Sequence, residues 1–399
     1  MTEEAPVREA PITVLSAHPA VRATHPTLTT EEVAVNTIAH SEDRRVIGGV
    51  DTHKDVHVAA VIDDLGRIQG TKSFPTTRHG YRRLLGWLQS HGEILAVGVE
   101  GCGSWGAGLA RYLTARGIRV LEVNRPNRQD RRLDGKSDPV DAQAAARAVL
   151  SGRAKATPKS ATGPVEALRQ LRVARSGAIK ARISASNQLH SLCDTAPERI
   201  RAQLQGLGLR QKIAVCERWR PSTANTPESA AKRAMASIAR RWRALDDEIK
   251  TLDRHLHAIL DDIAGQLLAK HGVGYETAGQ LLVTAGDNPD RLRHEASYAA
   301  LCGSSPVKAH SGKSTRHHRL NRGGDRQANS ALWTIVLSRM SNHPPTRDYV
   351  ARRTKEGLSK PEIMRCLKRY AARELFPHVQ AIITDTTDLD APGKDAAAA

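Results

Sequence analysis

Aromatic residues and cysteines are both scarce in this 399-residue sequence. Phe, Trp and Tyr make up only 3% of the chain, which argues against stacking of bases on aromatic platforms as the main way of binding nucleic acid. The five cysteines are odd in number and lack Cys-x-x-Cys spacing, so neither a disulfide framework nor a zinc site is indicated. We therefore expect reduced, buried thiols.

Long apolar runs and nucleotide-binding glycine motifs are also missing. No stretch approaches the roughly 20 apolar residues of a membrane span, and residues 1–45 lack the basic-then-apolar order of a signal peptide. No Gly-x-x-x-x-Gly-Lys motif of an ATP-binding loop is found. We expect a cytoplasmic protein with no membrane partner.

Basic residues, by contrast, are abundant and spread along the chain. Lys and Arg total 60 against 42 Asp and Glu, which gives a formal net charge of +18. Such an excess favours a polyanionic partner, with nucleic acid first and an anionic membrane surface a second alternative that no segment supports.

The chain is long enough for two or three domains. Residues 1–44 are rich in Pro, Thr, Ala and Glu and are predicted to be a disordered extension. Residues 45–155 alternate apolar strand patterns with helical ones in the order βββαβαβα, which predicts a mixed α/β sheet covered by helices. The predicted strands are 45–51, 57–63, 67–74, 94–99 and 119–123, and the helices are 78–89, 105–116 and 142–150.

Residues 164–263 are predicted to be helical. From Met235 to Ile263, apolar residues recur at alternating steps of three and four, with charged residues such as Asp246 at flanking positions expected to be solvated. This heptad pattern is typical of a coiled coil or a long bundle helix. It fits either self-association or an intramolecular hairpin with the helix predicted near 168–192.

Residues 264–380 are predicted to form a mainly helical C-terminal domain, followed by a disordered tail at 381–399. The helix, Gly-Val-Gly, helix order around Gly272 and Gly274 fits a helix-hairpin-helix unit whose amides meet a phosphate, or a plain turn that needs glycine. Closing helices are predicted at 329–340 and 360–375. A Ser/Gly/Arg-rich loop before the first closing helix is typical of a surface that contacts phosphate. Its basic residues are Lys313, Arg316, Arg319, Arg322 and Arg326.

Four acids stand at positions suited to metal binding. Asp51 and Glu100 end apolar strands, while Asp138 and Asp141 are three residues apart at a helix start and so share one face. Converging carboxylates hold Mg²⁺, with Mn²⁺ as an alternative, and paired ions can clamp the oxygens of a phosphodiester. Two alternatives remain open. Ser137 or Asp138 can simply cap the helix, and other acids near the strands have the same chemistry for binding metal. These other acids are Asp55, Asp63 and Asp64.

Taken together, these motifs resemble the DEDD-type transposases of insertion sequences, a family of bacterial, nucleoid-associated proteins that is related to the Piv DNA invertases and is identified as bridge-RNA-guided serine recombinases. The resemblance runs from about residue 46 to 376 and depends on the order of several short motifs. The matching segments are Gly49-Val-Asp51-Thr-His-Lys54, Val99-Glu100, Lys136-Ser-Asp138-Pro-Val-Asp141-Ala142, Gly286-Asp287, Gly303-Ser-Ser-Pro306 and Ser311-Gly312.

The resemblance implies a RuvC-like, RNase H-type domain in which Asp51, Glu100, Asp138 and Asp141 bind metal. It also implies a C-terminal transposase domain whose Ser311 attacks DNA and forms a covalent phosphoserine link. Double-stranded donor and target DNA, a guide RNA and a homo-oligomer, a dimer assembling to a tetramer, are the implied partners.

The sequence departs from the family pattern in its long N-terminal extension and in Ser304-Ser305 before Pro306. Ser305 is therefore an alternative nucleophile, although Gly312 gives the backbone beside Ser311 more room for a phosphate. Two other functions remain open. One is a metal-dependent nuclease or junction resolvase that uses water alone, and the other is a basic nucleic-acid-binding protein without catalysis.

Overall fold

A computed structural model describes residues 44–123, 137–220, 222–289, 292–308, 318–319, 321 and 323–389. Nearly all of the predicted N-terminal extension lies outside these residues. The end of the predicted tail, 390–399, also lies outside them. The same holds for 309–317, the central part of the Ser/Gly/Arg-rich loop.

A five-stranded mixed sheet forms the N-terminal part of the described chain. The strands are β1 (Arg45–Thr52), β2 (Val56–Asp63), β3 (Ile68–Pro75), β4 (Glu93–Glu100) and β5 (Val120–Val123). Their order in the sheet is β3-β2-β1-β4-β5, with β1 to β3 antiparallel and β4 and β5 parallel to β1. The predicted antiparallel start and the mixed α/β character are confirmed.

Side chains of β1 alternate between the two faces of the sheet, and each face is covered by different helices. Val46 and Val50 pack with the buried leucines of α1 (Arg78–Gln89) and α2 (Ala107–Thr114). Ile47 packs on the opposite face with Ala146 of α3 (Asp138–Leu150). Since Asp51 has the parity of Ile47, its side chain lies on the face that α3 covers.

Two long antiparallel helices follow the sheet. They are α4 (Pro164–Thr195) and α7 (Pro227–Ile263), and two short helices, α5 (Glu198–Leu204) and α6 (Leu209–Arg218), close one end of the pair. The heptad pattern therefore forms an intramolecular hairpin, as one of the two alternatives predicted. Met235, Trp242, Ile249 and Leu256, spaced by seven, are buried, while the intervening apolar row is half-buried.

The solvated position predicted for Asp246 is wrong. Its side chain is buried against α4, where it forms ion pairs with Arg182 and, at 2.8 Å, with Lys250. A buried carboxylate needs such partners, and the hydrogen bonds from Lys250 and Arg182 hold the pKa of Asp246 below its usual range.

The C-terminal part is a helical cluster around one apolar core. Its helices are α8 (Gly265–Leu268), α9 (Tyr275–Ala285), α10 (Glu295–Leu301), α11 (Arg326–Asn342), α12 (Pro344–Lys355) and α13 (Lys360–Leu389). A two-residue ribbon, β6 (Val307–Lys308) and β7 (His318–Arg319), lies between α10 and α11. Leu168 and Leu260, from the open end of the long hairpin, enter the same core.

Two features of this region correct the predictions. Helix α12 was not predicted, although Pro344 at its first position suits a helix start because no amide hydrogen is needed there. Helix α13 continues through Pro377 to Leu389, so residues 381–389 are not a disordered tail. Val379 and Ile382 are buried beyond the proline, and this packing holds the helix together where one backbone hydrogen bond is missing.

A short segment after α3 attaches the sheet to the C-terminal cluster. Ala156 accepts a hydrogen bond from the amide of Glu122 in β5. Four residues on, the Ser160 amide donates to Asn288, whose own side-chain amide donates to Pro158, each at 2.8 Å. None of the described helices is both long and apolar enough to cross a membrane.

Candidate acidic metal site

Two glycines allow α3 to lie directly on the sheet. A Cβ atom at Gly49 of β1 would stand 2.2 Å from the carbonyl oxygen of Ala142, and one at Gly98 of β4 would stand 2.8 Å from that of Ala145. Both distances are impossible for a side chain, so glycine is required for this close approach. The start of α3, with Asp138 and Asp141, is thereby brought to the end of β1, where Asp51 lies.

The resulting cluster joins Asp51, His53 and Asp138. The Nε2 atom of His53 lies 3.2 Å from Oδ2 of Asp51 and 3.3 Å from Oδ1 of Asp138. One ligand atom from each of the three residues lies within 4.8 Å of the other two. Asp51 is buried, while the other two side chains are about half exposed, so the cluster is open to solvent on one side.

Burial raises the pKa of the Asp51 carboxyl. His53 opposes this rise, whereas Asp141 and Asp138 add to it because like charges disfavour ionisation. A carboxylate that is both desolvated and close to other acids gains from a neighbouring cation. The donor set therefore fits a divalent metal, and Asp51, His53 and Asp138 are the residues that would hold it.

The other two predicted acids lie at the same edge of the sheet, but they are not part of this three-residue cluster. Asp141 is buried on the inner side of α3 and near enough to influence the Asp51 pKa. Glu100 ends β4, which runs parallel to β1 with Val99 opposite Val50. Its carbonyl accepts a 2.8 Å hydrogen bond from Thr52, which joins the two strand ends. The structure thus places all four acids at one edge of the sheet and brings two together directly.

His53 is the site residue that sequence reasoning missed. Its signal was present, since residues two apart at a strand end project to the same side, as Asp51 and His53 do. An exposed Trp105 lies next to it, with ring centroids 6.3 Å apart. This indole gives the mouth of the site an aromatic surface.

Only the ends of the Ser/Gly/Arg-rich loop, which contains both candidate serines, belong to the described residues. Ser311, Lys313, Arg316 and Arg322 lie outside the described residues. Arg319 falls in β7, and Arg326 begins α11, whose N-cap Asp325 accepts hydrogen bonds from two amides. Ser305, the alternative nucleophile, is half-buried, and its Oγ accepts a 2.9 Å hydrogen bond from Asn321.

The glycine turn before α9 favours the structural alternative over a phosphate site. Gly272 has a φ of +77°, and a Cβ there would lie 3.0 Å from the carbonyl oxygen of Ile335. The amide of Gly274 donates to the Thr277 hydroxyl at 3.0 Å instead of pointing free towards a ligand. The preceding α8 is a single turn, so the predicted helix-hairpin-helix unit is incomplete.

Comparison with known families agrees with this arrangement. Residues 48–196 match the DEDD transposase domain of IS110-type elements, and residues 265–351 match a domain described as the transposase IS116/IS110/IS902 family. Both matched regions are therefore similar to domains of IS110-type transposases. A stretch of 144 residues is also 31% identical to the "Insertion element IS110 uncharacterized 43.6 kDa protein" of Streptomyces coelicolor. That match spans 35% of this chain and 35% of the relative.

The two predicted functional parts fall in different matched regions. Asp51, Glu100, Asp138 and Asp141 lie within the first matched domain, and Ser305 and Ser311 lie within the second. The long helix α7 belongs to neither matched region. It connects them, since its start packs with α5 and α6 and its end enters the C-terminal core.

Proposed function

We propose that this chain is a DNA transposase that cuts and rejoins donor and target DNA at its acidic site. The observation that carries the proposal is the meeting of Asp51 and Asp138 across the Gly49 contact, inside a domain that matches DEDD transposases. The strand order, with an antiparallel meander followed by two parallel strands, supports a RuvC-like, RNase H-type domain.

The acids hold Mg²⁺ or Mn²⁺ in this proposal. The bound cation would offset the charge that develops on the phosphodiester during strand cleavage. Asp51 and Asp138 would supply oxygen ligands at the cluster, and Glu100 and Asp141 would complete the four-acid set. His53 keeps the two carboxylates at one place by contacting both.

Ser311 acts as the nucleophile. Its oxygen forms a bond to phosphorus as the bond from phosphorus to the leaving deoxyribose oxygen breaks. The serine hydroxyl gives up its proton, and the leaving oxygen gains one. The phosphoserine ester retains the energy of the broken phosphodiester, so a second DNA strand can displace the serine without ATP. The basic residues around 316–326 offset the charge on the phosphorus oxygens.

The assembled enzyme is proposed to be an oligomer guided by RNA. A homodimer that pairs to a tetramer lets the serine of one subunit reach the acids of another. A structured guide RNA, paired with both DNA sites, selects them by base pairing. Recovery of a defined RNA with the purified protein, and loss of recombination on its removal, is the expected result. Recombination that persists without any RNA contradicts guidance.

A plasmid recombination assay, with the ends of the element and their flanking non-coding DNA, tests the catalytic assignments. Asp51→Asn and Asp138→Asn should abolish cleavage in Mg²⁺, because both remove a charged ligand without changing side-chain size. Asp64→Asn is the matched control, since Asp64 is an exposed acid at the other end of β2. Cleavage that survives Asp51→Asn contradicts the metal site.

Serine variants separate the transposase from the nuclease alternative. Ser311→Ala should stop strand transfer, whereas Ser305→Ala should still allow strand transfer because the nucleophile is retained. Cutting that continues in Ser311→Ala without rejoining would indicate a nuclease that uses water. Absence of cleavage in every variant, including wild type, together with metal-independent binding would indicate a binding protein without catalysis.

A further inference from the structure

A cavity of about 310 Å³ lies between residues 303–306 and the C-terminal helices. It is separate from the acidic cluster, since none of its lining residues belongs to the sheet or to α3. One wall is formed by residues 303–306 with Asn321, and the other by α13 with Arg353 and Leu358. The α13 residues that face the cavity are Glu362, Arg365, Cys366, Lys368, Arg369 and Tyr370.

Two cations in this wall lack a carboxylate partner among the described residues. Lys368 is only 6% exposed and donates a 2.8 Å hydrogen bond to Oδ1 of Asn329. Burial lowers the pKa of Lys368, and the nearby Arg365 adds to this effect because like charges disfavour ionisation. Burying an unpaired ammonium is costly, and an anion in the cavity would remove that cost.

Two further cations in the lining are already engaged. Arg369 forms a two-pronged ion pair with Glu295, and Arg353 pairs with Glu356. The Nε atom of Arg353 is nevertheless buried and has no hydrogen-bond partner within the described chain. The cavity wall thus combines two arginines that are paired with glutamates and two cations that have no carboxylate partner in the described part of the chain.

The opposite wall supplies a hydroxyl and backbone held rigidly in place. Asn329, itself fixed by Lys368, donates to the carbonyl oxygens of Cys302 and Gly303 at 3.0 and 2.9 Å. Because Ser305 Oγ accepts from Asn321, its own proton is free to be donated to a ligand in the cavity. A neutral donor facing two cations is a typical environment for phosphate oxygens.

We propose that this cavity binds one nucleotide of an unpaired nucleic-acid strand, with its phosphate between Arg365, Lys368 and Ser305. Its sugar and base lie against Leu358, Cys366 and Tyr370, the last of which is 45% exposed. An unpaired strand is required because a duplex keeps its bases stacked inside, away from such an aromatic wall. The choice of nucleic acid as ligand rests on the proposed function.

The position of the cavity gives the bound nucleotide a role. The cavity adjoins Pro306, immediately before the β6–β7 ribbon from which the segment containing Ser311 extends. A strand anchored at Arg365 and Lys368 would therefore be held beside Pro306, which is five residues before the proposed nucleophile in the sequence. Ser305 is a phosphate contact on this account, not the attacking group.

The reactivity of the Cys366 thiol shows whether the cavity is occupied. The other four cysteines are buried, so iodoacetamide should modify Cys366 far faster than any of them. A short oligothymidylate, bound to saturation as followed by fluorescence anisotropy, should protect Cys366 in the full-length protein. A matching oligouridylate forms the second arm: protection by DNA alone assigns the cavity to a donor or target strand, and protection by RNA alone assigns it to a guide strand.

Variants that remove one positive charge test whether the protection of Cys366 depends on Arg365. Arg365→Gln should raise the half-protecting oligonucleotide concentration about tenfold, because one charge-assisted phosphate contact is lost. It should also reduce the slope of log affinity against log salt by about 0.7. Lys360→Gln is the control. It removes one charge from an exposed position on the same helix, outside the cavity, and should leave the protection of Cys366 unchanged.

Two results would overturn the inference. Either Cys366 is modified at the same rate with both oligonucleotides fully bound, or Arg365→Gln and Lys360→Gln shift protection equally. The experiment is run in Ser311→Ala protein as well as wild type, since binding requires no chemistry. Protection that persists when no serine adduct can be found would leave the cavity assigned and reject only the proposed nucleophile.

Discussion

His53 contacts both metal-site aspartates, and this sets its expected contribution. Its imidazole lies 3.2 and 3.3 Å from oxygens of Asp51 and Asp138, where it can either orient these carboxylates or bind the metal itself. His53→Ala should weaken Mn²⁺ binding about tenfold, as loss of such supporting groups commonly does. Electron paramagnetic resonance of free Mn²⁺ measures this directly.

The control for that measurement is His79→Ala. His79 is exposed on α1, which covers the face of the sheet opposite to α3, and its Nδ1 atom lies 3.1 Å from the guanidinium of Arg82. Its removal should leave Mn²⁺ affinity unchanged. Equal affinities for wild type and His53→Ala would show that the contacts of His53 have no part in metal binding.

His57 links stability to pH. It is fully buried in β2, stacks on Tyr81, and neither ring nitrogen has a hydrogen-bond partner in the described chain. Burial lowers its pKa to about 4 from 6.5, with a smaller contribution from His53. The folded protein therefore resists protonation that the unfolded chain accepts.

The sign of the effect follows from this difference. Above pH 6.5 both states carry neutral His57, and between pH 6.5 and 4 only the unfolded state binds the proton. The free energy of unfolding should fall over that range by up to about 3 kcal/mol from this residue. Urea unfolding of His57→Phe should show a shallower fall than wild type, and an identical pH dependence would disprove the assignment.

At the scale of single residues, the sequence predicted the acids better than their neighbours. Asp51 and Asp138 were predictable because strand ends and helix starts are recognisable from periodicity. The contact of His53 with both depends on how far α3 slides along β1, which no local pattern specifies. The burial of Asp246 likewise depends on Arg182, which is 64 residues earlier.

Among the secondary-structure elements, the packing of α3 on β1 is what assembles the metal site. Gly49→Ala would place a methyl group 2.2 and 2.3 Å from backbone atoms of Ala142 and Ala146, so the helix must move. We expect a loss of about 1–3 kcal/mol in stability. We also expect weaker Mn²⁺ binding, because Asp138 moves with the helix.

Gly86→Ala is the matched substitution. Gly86 lies in α1 with nothing within 4 Å of the added methyl group, so alanine should stabilise the helix by up to about 1 kcal/mol. Thermal unfolding and Mn²⁺ titration of the two variants compare them. If Gly49→Ala binds metal as well as Gly86→Ala does, close helix packing is not what forms the site.

Most of the elements themselves were predictable, and the exceptions have physical reasons. Strands β1, β2 and β4 and helix α1 follow strong apolar patterns. Helix α12 begins with two prolines that resemble a loop signal, yet proline is well suited to a helix start. The continuation of α13 past Pro377 depends on burial against the C-terminal core, which is tertiary information.

For the whole molecule, the sequence indicated the sheet-then-helices order but not how the parts are attached. Besides the apolar residues of the hairpin that enter the C-terminal core, polar contacts attach the parts. Asn288 holds the 158–160 segment, and Arg172 of α4 forms a 2.7 Å ion pair with Glu276 of α9. Such contacts between residues more than 100 positions apart leave no periodic signal in the sequence.

The central claim is that a metal site in one domain and a serine in the other act on the same phosphodiester. The most direct test is mass spectrometry of peptides after incubation with element-end DNA and Mg²⁺. The account predicts a phosphodeoxynucleotide on the peptide that contains Ser311, absent from Ser311→Ala and from Asp138→Asn. DNA that is cut with no covalent peptide, or with the modification on Ser305, would contradict it.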